Sequence, residues 1–481
     1  MQLGRLTLHQ SDRALEAGFK AIRAELRVPT RFPNDVADAA ASAASEGPRM
    51  PPGAERSTRR DARDLPLISI DPAGSLDIDQ AVAARRVGGG YRLWYAIADP
   101  AAFVTPGGII DAETHARGVT LYSPDRRTPL HPEVLSEKIA SLFPGTDRPA
   151  VLWTFDLDAD VGVRGVHVER ATVRNRRAVG YREAQNLLDS GGADDALSAV
   201  ATIGRVRAAR QADRGAVDLR LPDQEIRHTP AGYVLHYDAP LAIEEWNAQI
   251  SLLTGAAAAA MMLEIGTGVL RTLPRPEPAT IDALREDARA LGVTWSAETD
   301  YPELVRRLDV TKPTELALMY RCARALRGAG YMAFQEGAVH GDIDHYALAG
   351  PYAHVTAPLR RLSDRYANEI LIASAEGRPV PEWVLAALDG LPDTVSGARR
   401  RAAALHRAQV DYMEAAVLEG RVGEIFSATV LENRGDSTVV QLDHPAVVTT
   451  VDTLAATPGS RVGLRLDLAD PGARRLRFSL A

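Results

Sequence analysis

One cysteine, Cys322, stands in a chain of 481 residues, which excludes an internal disulfide and any zinc site built on paired cysteines and suits a reducing cytoplasm. Lysine is almost as scarce: Lys20, Lys138 and Lys312 are the whole supply. Arginine therefore carries the positive charge, and its planar fork favours bidentate contacts with phosphate. The N-terminal stretch lacks the basic start and apolar run of a secretory leader, so none is expected. Long apolar runs are missing as well. The longest uncharged stretch, Trp246 to Leu263, is interrupted by Asn247, Gln249, Ser251 and Thr254 and then turns alanine-rich. It reads as a buried helix, and no membrane partner is expected.

A net charge of −7 argues against a uniformly basic surface but leaves room for local tracks. Such tracks occur at Arg56-Arg59-Arg60-Arg63, Arg126-Arg127, Arg174-Arg176-Arg177, Arg360-Arg361 and Arg399-Arg400-Arg401, although a cluster of this kind is commonly just a solvated face. With 46% hydrophobic and 25% charged residues the composition is that of a globular protein, long enough for two to four domains.

Residues 11 to 27 carry Leu15, Phe19, Ile22 and Leu26 at helical spacing, with Ser11 as N-cap and Val28-Pro29 as the stop. A second helix is expected from Asn34 or Asp35 through Ala44. Residues 1–46 thus form an N-terminal helical module, either helix-turn-helix-like or, the favoured reading, a helical hairpin docked on the body. Residues 47–64, rich in Pro, Gly and Arg, read as a linker. From residue 65 to about 158 strands dominate, with Tyr91 to Ala98 the strongest. Gly88-Gly89-Gly90 predicts a hairpin back to the preceding strand. Helices are expected over 183–212, 242–265, 279–291, 313–328, 361–376 and 397–418. That order gives an α+β fold for 65–418, an antiparallel sheet under a helical layer. Residues 419–481 hold five short β-rich runs that fit an OB-type barrel, a shape used on single-stranded nucleic acid. Phe426, Phe478 and His444 are stacking candidates there, although a Phe in so small a barrel is more commonly core.

The chemistry is expected at Asp71-Pro72-Ala73-Gly74-Ser75-Leu76-Asp77-Ile78-Asp79-Gln80. An extended backbone at Asp77-Ile78-Asp79 puts both carboxylates on one face and Leu76 and Ile78 on the other. Clustered carboxylates call for a cation such as Mg²⁺ between them. A solvated acidic turn around Gly74 and Ser75 explains the same spacing equally well. An EF-hand is excluded, because neither its D-x-D-x-D-G run nor its closing glutamate is present.

These residues, with Ala96-Ile97-Ala98-Asp99-Pro100, Arg117 to Pro124, Pro129-Leu130-His131-Pro132 and Tyr352-Ala353-His354-Val355-Thr356-Ala357-Pro358-Leu359-Arg360-Arg361, resemble in order the catalytic domain of the ribonuclease II/R family. The closing barrel is similar to that family's S1 domain. The resemblance implies a monomeric exoribonuclease that digests single-stranded RNA hydrolytically from the 3′ end, using Mg²⁺ or alternatively Mn²⁺, and releases nucleoside 5′-monophosphates. It assigns Asp71, Asp77 and Asp79 to metal, with Asp79 and Asp77 central to catalysis, and the neighbouring Gln80 is expected to ligate the ion through its side-chain oxygen or hold a bound water. Arg360 would neutralise charge on the phosphate in the transition state. Tyr122 would stack on the 3′ nucleotides, Tyr181 and Glu244 would read the ribose, and Arg361 would help grip RNA.

Departures from the family pattern are specific. Gln80 replaces a fourth aspartate, Gly215-Ala216-Val217-Asp218-Leu219 lacks an aromatic at its end, and His406 falls where a glutamate is common. The N-terminal helices stand where many relatives have paired cold-shock barrels. A non-catalytic RNA-binding relative is the competing reading.

Overall fold

The computed structural model describes residues 11–238, 240–339 and 341–481. A seven-stranded sheet forms the centre, in the spatial order Arg60–Ala62, Val163–Arg174, Asp147–Leu157, Gly90–Ala98, Gln80–Val87, Ile68–Asp71, Arg177–Gly180. Its inner neighbours pair antiparallel, and a parallel pair closes each edge. The expected α+β architecture is what forms, with the turn at Gly88-Gly89 joining two of the central strands. Strand Gly90–Ala98 is apolar nearly throughout because both faces are covered: Leu93, Tyr95 and Ile97 enter one core, and Trp94, Ala96 and Ala98 enter another. Alternation along the strand sends successive side chains to opposite layers.

Helices Ala242–Ile265 and Leu362–Ala375 cover the first face through Ile250, Leu253, Met262, Tyr366 and Ile370. Ala242–Ile265 is, among the described residues, the one helix long and apolar enough to cross a membrane by composition, and it packs in this core. Its Gly255 is required by close approach: a Cβ there would lie 2.1 Å from the Tyr352 ring and 2.6 Å from the Ala353 carbonyl. The segment 352–361 thereby sits directly on the helix.

The N-terminal helices Asp12–Glu25 and Asn34–Glu46 dock on the body, each on a different core. Val36 and Ala40 cover the sheet's second face. Leu15, Phe19 and Ile22 enter a third core shared with helix Leu391–Leu418, the hairpin Asp223–Thr229/Gly232–Asp238 and the C-terminal barrel. There Phe19 meets Tyr233 and Tyr412 edge-on, each at 5.5 Å. The expected linker ends early, since Arg60–Ala62 pairs with Ala171–Val173 and Arg59 reaches Asp99 at 2.9 Å. Three residues are too few to show a period. Residues 65–158 also hold helix Ile109–Arg117 among the expected strands.

The closing module is a five-stranded sheet in the order Val448–Asp452, Ser437–Leu442, Ile425–Arg434, Arg461–Asp470, Arg475–Leu480. Phe426 and Phe478 are buried and meet edge to face at 6.1 Å, so they are its core and not stacking platforms. His444 stays exposed.

Candidate active site

Asp71 ends strand Ile68–Asp71, and the chain then reverses in a tight turn. Pro72 O accepts from Ser75 N at 3.2 Å and Ser75 Oγ at 2.8 Å, with Gly74 at φ +83°. The turn reading holds for Pro72 to Leu76, which lie at or near the surface, but not for the residues that follow, since Ile78 and Asp79 are buried. Ser141 straps this segment down: Ile78 N donates to Ser141 Oγ at 3.0 Å, and Ser141 Oγ donates to Leu76 O at 2.6 Å. Leu76 and Ile78 do not share a face as expected. Leu76 is 41% exposed and Ile78 fully buried, since the chain bends at Asp77 instead of running extended.

Each aspartate has a distinct setting. Asp77 is ion-paired with Arg127, whose other amine reaches Glu137 at 2.9 Å. Asp79 is buried, and its Oδ1 accepts from Leu359 N at 2.7 Å. Its Oδ2 faces Arg360 Nε at 3.3 Å. Asp71 Oδ2 and Asp79 Oδ2 are buried without a hydrogen-bond partner among the described residues. Burial pushes Asp71 up to about 6, opposed by Arg360 and assisted by Asp77. Burial pushes Asp79 up to about 8 against the same arginine and the Leu359 amide. Asp71 Oδ2 thus has no partner among the described residues and Asp79 Oδ2 only the Arg360 ion pair, and desolvated carboxylates of this kind have the chemistry to ligate a divalent cation, which would keep both groups ionised.

The segment Tyr352–Arg361 forms the facing wall. Arg361 is spent within it: its guanidinium bonds Asp364 at 2.7 to 3.1 Å and Thr356 Oγ1 at 3.3 Å. Asp364 in turn accepts from Ala357 N at 2.8 Å. The expectation that Arg361 grips RNA is corrected on this geometry: it shapes the wall. Arg360 keeps a side chain 45% exposed and lies against the Tyr122 hydroxyl. Tyr122 is 50% exposed at the end of the hairpin Leu121–Tyr122/Arg127–Thr128, available for stacking. Gly118, at φ +72°, lets the chain entering this hairpin pass close against helix Leu391–Leu418: a Cβ would lie 2.6 Å from that of Ala398. Thr120 N then donates to Arg360 O at 3.0 Å.

Gln80 is held at both ends of its side-chain amide. Its Nε2 donates to Thr356 O at 2.7 Å, and its Oε1 accepts from the buried Tyr95 hydroxyl. The same hydroxyl lies 2.8 Å from Ser251 Oγ. With both amide ends engaged, Gln80 braces the central sheet against the wall, and its expected place among the metal ligands is corrected. Tyr181 opens helix Tyr181–Asp189 in the field of Asp71 and Glu244. Glu244 Oε1 accepts from Leu241 N at 2.9 Å and so caps its own helix. Asn247 of that helix donates to Ile70 O at 3.2 Å, tying it to the strand of Asp71. His406 is exposed on helix Leu391–Leu418, and Leu219 packs half-buried in a helical side core.

Sequence reasoning missed Arg127 as the partner of Asp77, Tyr95 as that of Gln80, and the Leu359 amide. It also missed His131, whose Nδ1 bonds Leu359 O at 3.1 Å and whose pKa burial pushes down to about 4. His131 is thus a neutral donor fixing the peptide beside Asp79. The Pro-Leu-His-Pro motif marked it without revealing what it held.

Glu225, His236 and Asp238 also bring ligand atoms within 4.8 Å of one another, on the hairpin over 223–238. Arg227 already bridges them, at 2.6 Å from Glu225 and 3.5 Å from Asp238, so that charge is balanced by protein.

The fold is an α+β domain with a cluster of carboxylates facing an arginine, followed by a five-stranded module, and comparison with known proteins places both parts in one family. The RNB domain model matches residues 59–376, and that of the RNase II-type exonuclease C-terminal S1 domain matches 424–481. The chain belongs to the RNB family. It is 27% identical over 423 residues to ribonuclease R of Aquifex aeolicus, covering 83% of this chain and 58% of that protein. It is 27% identical over 385 residues to the exosome complex exonuclease dis3 of Schizosaccharomyces pombe, covering 76% and 40%. The chain therefore spans roughly half the length of such relatives. Mycoplasma genitalium RNase R in complex with ribose methylated single-stranded RNA superposes with a TM-score of 0.85 at 19% identity, over 97% of this chain and 78% of that one. Yeast Ssd1, a pseudonuclease, superposes with a TM-score of 0.70 at 17% identity, over 98% and 58%.

Proposed function

We propose that this protein is a Mg²⁺-dependent hydrolytic exoribonuclease that shortens single-stranded RNA from its 3′ end and releases nucleoside 5′-monophosphates, acting as a monomer. The observation that carries the reading is a pair of buried carboxylates, Asp71 with an oxygen unpartnered among the described residues and Asp79 with an oxygen held only by the ion pair to the half-exposed Arg360, within an RNB frame. Asp71, Asp77 and Asp79 would hold the divalent ions. When bound, such ions ionise the attacking water and stabilise the leaving 3′-oxygen in a two-metal hydrolysis.

The chain's own residues do the rest. Leu359 N–H and Ser141 fix Asp79 and the turn before it, so the carboxylates need no reorganisation when substrate arrives. Arg360, within reach of Asp79 and Tyr122, presents a planar fork to the non-bridging oxygens as charge builds on phosphorus. Tyr122 offers a ring face to a terminal base. Tyr181, near Glu244 and Asp71, is placed to meet the ribose, where a 2′-hydroxyl distinguishes RNA from DNA.

The test is 5′-labelled single-stranded RNA incubated with Mg²⁺, which yields a shortening ladder and a small limit product, with monophosphates identified by mass. Asp79→Asn abolishes the ladder. Undiminished degradation by that variant refutes the site.

Gln80 supports one second reading, an RNA-binding relative without catalysis, because a family carboxylate has become a hydrogen-bonded brace and a structural neighbour is a pseudonuclease. It predicts salt-sensitive RNA binding with no monophosphate release at any Mg²⁺ or Mn²⁺ concentration.

A further inference from the structure

Helix Asp12–Glu25 does more than fill a core. Its outward side and the turn of the Tyr122 hairpin enclose a surface cleft of about 470 Å³, lined by Arg13, Lys20, Arg23, Arg31 and Arg126 against Glu16 and Asp125. Asp125 is neutralised, since Arg23 holds it bidentately at 2.5 and 2.7 Å. Arg126 is anchored through Thr30 O at 3.1 Å with its side chain at the surface. Arg13, Lys20 and Arg31 are exposed and form no ion pair among the described residues. In a chain of net charge −7, Arg13, Lys20, Arg31 and Arg126 outnumber Glu16, the one carboxylate of the cleft without an ion pair among the described residues.

We propose that this cleft binds the phosphate backbone of single-stranded RNA on the 5′ side of the nucleotides held at Tyr122. The proposal rests on the ribonuclease reading above. Charge selects a polyanion, and position selects the strand that leaves the site. The cleft wall at Asp125 and Arg126 belongs to the same hairpin that presents Tyr122 and Arg127, and three residues from Tyr122 to Asp125 span at most about 10 Å. A strand running outward past Tyr122 therefore meets Arg126 first and the helix cations next. The cleft is rigid on the helix side: Phe19 is buried between Tyr233 and Tyr412, and a Cβ at Gly18 would lie 2.2 Å from the Tyr412 ring. Glu16 is drawn off toward the Tyr233 hydroxyl, 3.5 Å away. Backbone contacts of this kind carry no sequence information but set affinity and its salt dependence.

The experiment uses the full chain carrying Asp79→Asn to keep RNA intact, with and without Arg13→Glu, Lys20→Glu and Arg31→Glu together. Binding of a labelled oligomer of about twenty nucleotides and of a tetranucleotide is followed by anisotropy across a salt series. Losing three backbone contacts lowers the salt slope for the long RNA by about 2, and its affinity at low salt by at least about tenfold. The tetranucleotide binds both proteins equally, which also reports that the variant is folded. Substituting Gln at the same three positions gives the same pattern with smaller losses. Unchanged affinity and slope for the long RNA overturn the proposal, as does an equal loss on both lengths. If the Asp79→Asn chain binds neither RNA, the ribonuclease reading fails and this inference with it.

Discussion

Replacing Glu414 by glutamine is expected to stabilise the protein above neutral pH and leave it unchanged in acid. Glu414 sits near the end of helix Leu391–Leu418, 4% exposed, where the helix meets the closing barrel. Its Oε1 accepts from Gln224 Nε2 at 2.7 Å and from Val448 N at 2.8 Å. Among the described residues it forms no ion pair. Burial pushes its pKa up to about 7, the two donors pull it down, and Asp411 nearby pushes it up further. The unfolded carboxyl titrates near its ordinary value of 4.5. Between those two values the folded state keeps a proton that the unfolded state has released. Stability therefore falls as pH rises through the window and levels off above about 7. A gap of some 2.5 pK units corresponds to about 3 kcal/mol. Glutamine retains the accepting oxygen and removes the charge, so Glu414→Gln recovers up to about 3 kcal/mol at pH 8 and nothing near pH 4.5. The assay is the thermal midpoint across that pH range, read as a difference between the two proteins, because a chain with several cores need not unfold in one step. A difference that does not grow between pH 4.5 and 7 refutes the reasoning.

Other outcomes follow from the same geometry. Arg360→Ala lowers kcat by about 10² to 10³ with a smaller change in KM, read from steady-state cleavage of a short RNA. Arg360→Lys recovers little of that loss, because the fork and not the charge alone is lost. Gln80→Ala weakens the brace between Tyr95 and Thr356 and lowers stability by about 1 to 3 kcal/mol through the orphaned partners, measured by the thermal midpoint, without loss of metal binding by calorimetry. Phe19→Ala costs about 3 to 5 kcal/mol and shows as earlier melting of the contact between N-terminal helix and barrel by hydrogen exchange.

What the sequence disclosed depended on whether a feature was periodic, motif-borne or relational. The helix over 242–265 and the strands of the closing module announced themselves by composition and spacing, and the observed bounds differ by a residue or two in most cases. The hairpin at 223–238 and the two-stranded sheet of 268–272 with 330–334 did not, since their strands alternate weakly and the second joins partners about sixty residues apart. At the site, the aspartates and Arg360 were legible because their residue types and order carry the chemistry. Their partners were not. Arg127 lies 50 residues from Asp77, and Leu359 lies 280 residues from Asp79. A backbone N–H has no residue identity for a sequence to reveal. The error over Leu76 came from assuming an extended chain where a side-chain hydroxyl, Ser141, bends it.

The adjacent arginines show how far residue type alone can mislead. Arg360 and Arg361 are chemically identical and consecutive, yet one is 45% exposed beside Asp79, and the other lies on Asp364, which is fully buried. Truncating Arg361 would strand that aspartate, whose oxygens also hold Ala357 N, and breaking a buried pair of this kind costs about 3 to 5 kcal/mol. Arg361→Ala should therefore lower the thermal midpoint and displace the wall that carries Arg360, so its kinetic defect comes with a structural one. Arg360→Ala, whose side chain holds nothing buried in place except the field at Asp79, should leave the midpoint unchanged or raise it at low pH. It should lower it only where Asp79 must ionise. If the two variants lose stability equally, the division of labour drawn from their exposure is wrong, and both arginines belong to the wall.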